Sequence, residues 1–147
     1  MIEYIKNKQI TVAIVVRKDF AKEGVSFFTP NDFSQQLAYM NHAKGKVIKP
    51  HVHNFVSRTV LYTNEVLFIK KGKMRVDFYD DEQCYLESRI LNAGDVILLA
   101  SGGHGFDVLE SVEMFEVKQG PYAGDQDKTH FNGINNSQII LKSEKDE

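Results

Sequence analysis

The sequence predicts an all-β domain, built as a sandwich or a barrel. Many short runs favour extended chain, turn residues separate them at spacings of about ten residues, and no internal repeat, linker or low-complexity segment interrupts the pattern.

The first run, Ile10–Val16, is rich in β-branched residues, and residues 24–29 form the second. Pro30, Asn31 and Asp32 then break the chain. Residues 34–41 read either as a short helix or as a strand. Leu37, Tyr39 and Asn41 alternate with Gln36, Ala38 and Met40, which favours the strand, and Gly45 follows as a turn residue. Residues 47–53 make the next strand, followed by a polar stretch over 54–58. Residues 65–69 run into Lys70-Lys71-Gly72-Lys73, which reads as a hairpin turn. Residues 74–79 and 85–91 are strands about a turn at 80–83, and Asn92-Ala93-Gly94-Asp95 turns the chain into Val96–Leu99. Ser101-Gly102-Gly103 is a loop, and residues 104–109 and 112–118 form the last clear pair. Beyond Gly120-Pro121 the pattern weakens, and the charged tail over 142–147 is expected to fray.

With 147 residues the chain fits one domain spanning its whole length. A domain of this size buries roughly 70% of the surface its unfolded chain exposes, so it needs no disulfide to be stable. Hydrophobic residues make up 42% and charged residues 26%, ordinary for a globular protein. The net charge of -2, with no block of like charge, argues against a nucleic-acid partner. The single cysteine, Cys84, cannot form an internal disulfide and points to a reducing compartment. No signal peptide or membrane-length apolar run is visible, so the expectation is a soluble cytoplasmic protein.

Two of the five histidines form His51-Val52-His53. Side chains two apart on a strand share a face, so both imidazoles can reach one ion. A bare pattern of this kind is about as often a pair of surface histidines beside a turn. Around it, Gly45 precedes His51 by a gap of five residues, and Glu65 precedes Gly72 by a gap of six. Gly94, Gly102 and His104 follow later in the chain.

These residues resemble the two motifs of the cupin superfamily over about residues 35–120. Three features depart from the family pattern. Eleven residues separate His53 from Glu65 where the family has three or four. Ala100 stands in the proline position, with the gap from Gly102 to His104 one residue short. Val108 stands where the second motif has asparagine. The resemblance implies a cupin-type double-stranded β-helix, or jelly-roll barrel. It also implies one divalent metal ion on His51, His53, Glu65 and His104, with Glu65 the conditional member because of the insertion. Glu116-Val117-Lys118-Gln119-Gly120-Pro121-Tyr122 further resembles a segment of cupins from bacterial surface-polysaccharide loci, which implies a sugar-related substrate.

Three imidazoles and a carboxylate make a mixed nitrogen and oxygen set that suits Zn, Mn, Fe, Ni or Co without choosing among them. An ion with open positions can act as a Lewis acid or lower the pKa of bound water. If Glu65 points into the barrel, Leu67 and Ile69 do too, and Val66 and Phe68 point out. That outward apolar row is the reason to expect a homodimer. Were the motif fit accidental, Glu65 is a strand-edge carboxylate paired with a lysine.

Other residues are candidates for the pocket. Arg58, in the insertion, either clamps a carboxylate or phosphate with its fork or is a solvated loop residue. Tyr39 and Tyr62 carry hydroxyl donors but are as readily core residues. Phe106 shares a strand face with His104 and narrows the cavity. Glu116 and Lys118 either face the cavity together, as a candidate acid/base pair, or stand exposed on the other face. His42 and His130 read as surface or structural residues, and Cys84 as a small buried one.

The resulting expectation is a metal-dependent enzyme acting on a small polar molecule such as a sugar or sugar phosphate, of isomerase or epimerase type. An Fe(II) dioxygenase and a non-enzymatic sensing module are the alternatives. The fold does not choose among them.

Overall fold

The computed structural model describes residues 1–143 and divides into two compact units. One comprises Met1–Phe20 and the chain from Tyr62 onward; the other is Ala21–Leu61.

The first unit is a curled six-stranded sheet. Its strands are β1 (Ile2–Asn7), β2 (Ile10–Val16), β5 (Glu65–Tyr79), β6 (Tyr85–Asn92), β7 (Val96–Leu99) and β8 (Gly103–Lys118). The order is β1-β2-β7-β5-β6, with β8 paired to β5. Every pairing in it is antiparallel. The alternation expected of a half-buried strand is visible in β5, where Leu67 and Ile69 are buried and Phe68 is exposed. Ile5, Val15, Leu67, Ile69, Val76, Phe78, Leu91 and Ile97 meet in one apolar core.

The two ends of the strand order are tied together by charge. Glu3 on β1 accepts from Arg89 Nε on β6 at 2.9 Å, and also pairs with Arg17. Arg89 pairs in turn with Glu87 at 2.7 Å, and Arg17 with Asp95 at 2.9 Å. Glu3, Arg89 and Asp95 are buried. Buried ions need such complete pairing, because each loses its hydration.

The expected hairpin at Lys70-Lys71-Gly72-Lys73 is absent. β5 runs on through it, and β8 runs on through the break expected near residues 110–111. The two long strands pair along most of their length, with register shifts between Ile69 and Met74. These bulges bend the ladder, so β5 leaves β7 and takes up β6. Gly72 sits at the corner with φ of 84°, and a Cβ there would lie 2.0 Å from the Ser111 carbonyl oxygen. Only glycine fits, and the turn signal in the sequence is a strand corner instead. The Asn92–Asp95 turn stitches that corner, with Gly94 N–H donating to the Ile69 carbonyl at 2.7 Å.

β1 was not among the expected strands. It places a carboxylate, Glu3, on the same inward row as Ile5, which disguises the apolar face.

The C-terminal segment carries two 3-10 turns, Gly124–Gln126 and Asn136–Gln138. It is held by side chains of the sheet. Tyr79 OH accepts from Ile134 N–H at 2.9 Å, Arg75 donates to Asn136 at 3.0 Å, and Tyr85 OH accepts from Ile140 N–H at 2.9 Å. Lys142, expected to fray, pairs with Glu87 and donates its N–H to the Ser88 carbonyl. The remainder of that tail, residues 144–147, lies outside the described residues.

The second unit holds β3 (Gly24–Phe27) and β4 (Ala38–Asn41), an antiparallel pair. The connection is pinned by Gln36, which accepts from Thr29 Oγ1 and donates to the carbonyls of Pro30 and Phe33. Residues 47–53, expected as a strand, have no regular secondary structure, and they are exposed. Without neighbouring strands to pair with, their alternation alone does not make a strand. The all-β class holds, and the principal sheet is curled as in a β-barrel. No helix of the described residues is long and apolar enough to cross a membrane.

Candidate functional site

A cavity of about 690 Å³ opens in the first unit. Its lining includes Glu65 from β5; His104, Phe106, Glu116 and Lys118 from β8; and Asp127 from the C-terminal segment. The register explains the clustering. Glu65 pairs directly with Lys118, and Leu67 with Glu116, so all four share the face that carries the core. The corner of β5 and β8 turns the His104 end of the strand back over the same space.

The polar groups are joined in a chain. His104 Nε2 lies 3.2 Å from Glu65 Oε2, and Lys118 Nζ donates to Glu65 Oε1 at 3.2 Å. Lys118 also pairs with Asp127 at 3.3 Å, and Asp127 accepts from Thr63 Oγ1 at 2.6 Å. The hydrogen bond with His104 holds the Glu65 carboxyl below its ordinary range; burial opposes this and Lys118 reinforces it. Hydrogen bonds to Glu65 and Asp127 hold the Lys118 ammonium above its ordinary range. The Thr63 hydroxyl is the largest influence lowering Asp127, ahead of the opposing effect of burial and of the help from Lys118.

Asp127 yields a pH prediction. A carboxyl depressed in the folded state contributes stability above its unfolded value, and loses it as pH falls through the folded value. Asp127→Asn is expected to lower Tm at neutral pH, and the gap to wild type should close as pH falls below the usual aspartate range. Melting curves from pH 7 down to pH 3 check this; a gap that stays constant with pH contradicts it.

The His104 and Phe106 rings lie 5.2 Å apart between centroids, tilted by 38°, as neighbours on one strand face. Glu116 and Lys118 both line the cavity, the first of the two facings open in the sequence. Tyr62 lines it too. His130 is exposed, in keeping with a surface residue, and also lines the cavity, whereas Cys84 is exposed rather than buried. Asp127 had no signal in the sequence: it lies in a segment without periodicity, and its partners Lys118 and Thr63 are distant in the chain.

The remaining candidates lie in the second unit. His51 and His53 are exposed, with ring centroids 5.3 Å apart. His51 Nδ1 lies 3.0 Å from the Lys49 carbonyl oxygen. A donor N–H on that nitrogen leaves Nε2 with a lone pair, the arrangement typical of metal-ligating imidazoles. Arg58 is exposed and donates to the Val56 carbonyl at 3.3 Å. Tyr39 lies on β4.

Of the four residues implied as ligands, Glu65 and His104 come together in the first unit, and His51 and His53 lie side by side in the second. Ligand bonds of ~2.1 Å at right angles place neighbouring donor atoms about 3 Å apart, and Glu65 Oε2 and His104 Nε2 have about that separation. The donor types suit a first-row divalent ion. Among the described residues no group of three or more His, Cys, Asp or Glu side chains is placed to hold a metal.

No family model, curated protein or solved structure matches the chain.

Proposed function

We propose that the chain is a metal-binding cupin enzyme acting on a small polar molecule, a sugar or sugar phosphate, by isomerase or epimerase chemistry. The observation that carries the proposal is the convergence of Glu65, His104, Lys118 and Glu116 on one cavity. Glu65 and His104 are the ligands supported by geometry, and the motif likeness adds His51 and His53. A divalent ion bound there supplies Lewis-acid polarisation of a carbonyl or hydroxyl.

The protein's own groups divide the remaining work. Lys118 stays protonated between two carboxylates, so it donates hydrogen bonds and stabilises developing negative charge instead of accepting a proton. Glu116 has no ion-pair or hydrogen-bond partner among the described residues, and its carboxylate is the group free to take a proton from substrate. Phe106 offers a ring face beside His104. The proposal includes a cytoplasmic homodimer, for which the exposed outward row of Phe68, Phe115 and Val117 is the candidate surface.

Thermal melting of the purified chain in the presence of hexoses and hexose phosphates tests the sugar assignment. A bound ligand at about 100 times its Kd adds roughly 2.7 kcal/mol of stability, a clear rise in Tm. Product analysis by NMR on any ligand that binds then looks for isomer formation. No rise with any sugar would remove the assignment.

A further inference from the structure

The charges that line the cavity bear on whether it takes a sugar or a sugar phosphate. The lining carries four carboxylates, on Glu65, Asp81, Glu116 and Asp127, and two ammonium groups, on Lys118 and Lys128. With histidines neutral, that is a surplus of two negative charges. A phosphate monoester brings about -1.5 to -2 of its own at pH 7. Protein sites for it supply Arg forks, helix N-termini or free backbone N–H groups.

Arginine forks and the N-termini of full helices are not on offer among the described residues. No arginine lines the cavity among the described residues. Lys118 is already shared between Glu65 and Asp127, at 3.2 and 3.3 Å. The Gly102 N–H, in the loop beside His104, donates to Asp81 Oδ1 at 3.2 Å. The helical turns of the described residues are two three-residue 3-10 segments. The other ammonium group, on Lys128, sits beside Asp127 in the chain. A bound divalent ion would cancel the surplus, and still leave no excess of positive charge.

We infer that the ring held in this cavity carries no phosphate, and that any ionised substituent on it is an ammonium group. The inference rests on the proposed sugar site and narrows its substrate class to neutral and amine-bearing sugars. Glu116, unpaired on the wall, is the carboxylate available to receive such an amine. Phe106, 41% exposed, supplies an apolar face for the ring.

Calorimetric titration of the full chain, as purified with its metal, tests this with glucose, galactose and glucosamine and with the 1- and 6-phosphates of each. The expected result is that each phosphate binds at least about tenfold more weakly than its parent sugar. Glu116→Lys, at an exposed and unpaired position, is expected to raise phosphate affinity by about tenfold and to remove any preference for glucosamine. A phosphate that binds wild type more tightly than its parent overturns the inference and leaves the sugar site standing. If none of the sugars binds in either form, the sugar site itself fails and the inference falls with it.

Discussion

Replacing His104 with alanine is expected to strip the protein of most of its bound metal. The imidazole is one of two candidate ligand groups that the first unit brings together, 3.2 Å from the Glu65 carboxylate. Ligand loss from a site of three or four donors removes a large share of the binding free energy. A fall in metal content of about tenfold or more is expected, because even changes outside the ligand set cost 10–100-fold. His51→Ala should do the same if the motif likeness holds for the second unit. His130→Ala is the internal control. It changes a histidine that lines the same cavity but lies outside the proposed ligand set, so metal content should stay near wild type. Elemental analysis of the variants, with circular dichroism to confirm folding, reads all three. Full occupancy in folded His104→Ala would sink the ligand assignment.

Glu3→Ala is expected to destabilise the sheet strongly. It leaves two guanidinium groups, those of Arg17 and Arg89, without a shared carboxylate. Arg89 is only 1% exposed, so water cannot replace the lost partner. Breaking one side of a buried ion pair costs about 3–5 kcal/mol. Glu87 and Asp95 remain as partners and keep the cost within that range. Urea denaturation should show it as a fall in the midpoint, against Glu82→Ala on an exposed turn, which should stay within about 0.5 kcal/mol of wild type. A cost below about 1 kcal/mol would mean that the Glu3–Arg89 tie between the ends of the sheet contributes little.

Much of the sheet was legible because its strands obey period two. Leu67 and Ile69 point inward and Phe68 outward, as alternation requires, and that alternation also put Glu65 on the cavity face. Where a charge occupies an inward position, the signal fails. Glu3 hides β1, whereas the buried Glu87 and Arg89 of β6 pair with each other and leave the strand recognisable. Gly72 is equally instructive. A glycine among lysines is a turn signal, and the local chemistry is correct, since φ is positive there. What the sequence does not contain is the partner strand that bends with it and keeps the ladder continuous.

The site was legible only where its residues lie on strands. Glu65, His104, Phe106, Glu116 and Lys118 all lie on the paired strands β5 and β8: the motif likeness pointed to Glu65 and His104, and strand alternation to Phe106, Glu116 and Lys118. Asp127 and His130 come from a segment held by scattered side-chain contacts to Thr63, Lys118 and Tyr79, and no local pattern marks them. Gly94-Asp95, part of the motif likeness, has a structural role in the described chain. Asp95 accepts from the Lys18 and Asn92 backbone N–H groups and pairs with Arg17, which anchors the turn beside the corner of β5.

In the proposed site a divalent metal is held through Glu65 and His104. Metal stoichiometry tests it most directly, by elemental analysis of protein purified without chelators and after incubation with Mn, Fe, Co, Ni or Zn. About one ion per chain is predicted for at least one of these metals. A content below about a tenth of an ion per chain with every one of them would contradict it, and would leave the Glu65–His104 pair as a hydrogen-bonded couple in a metal-free cavity.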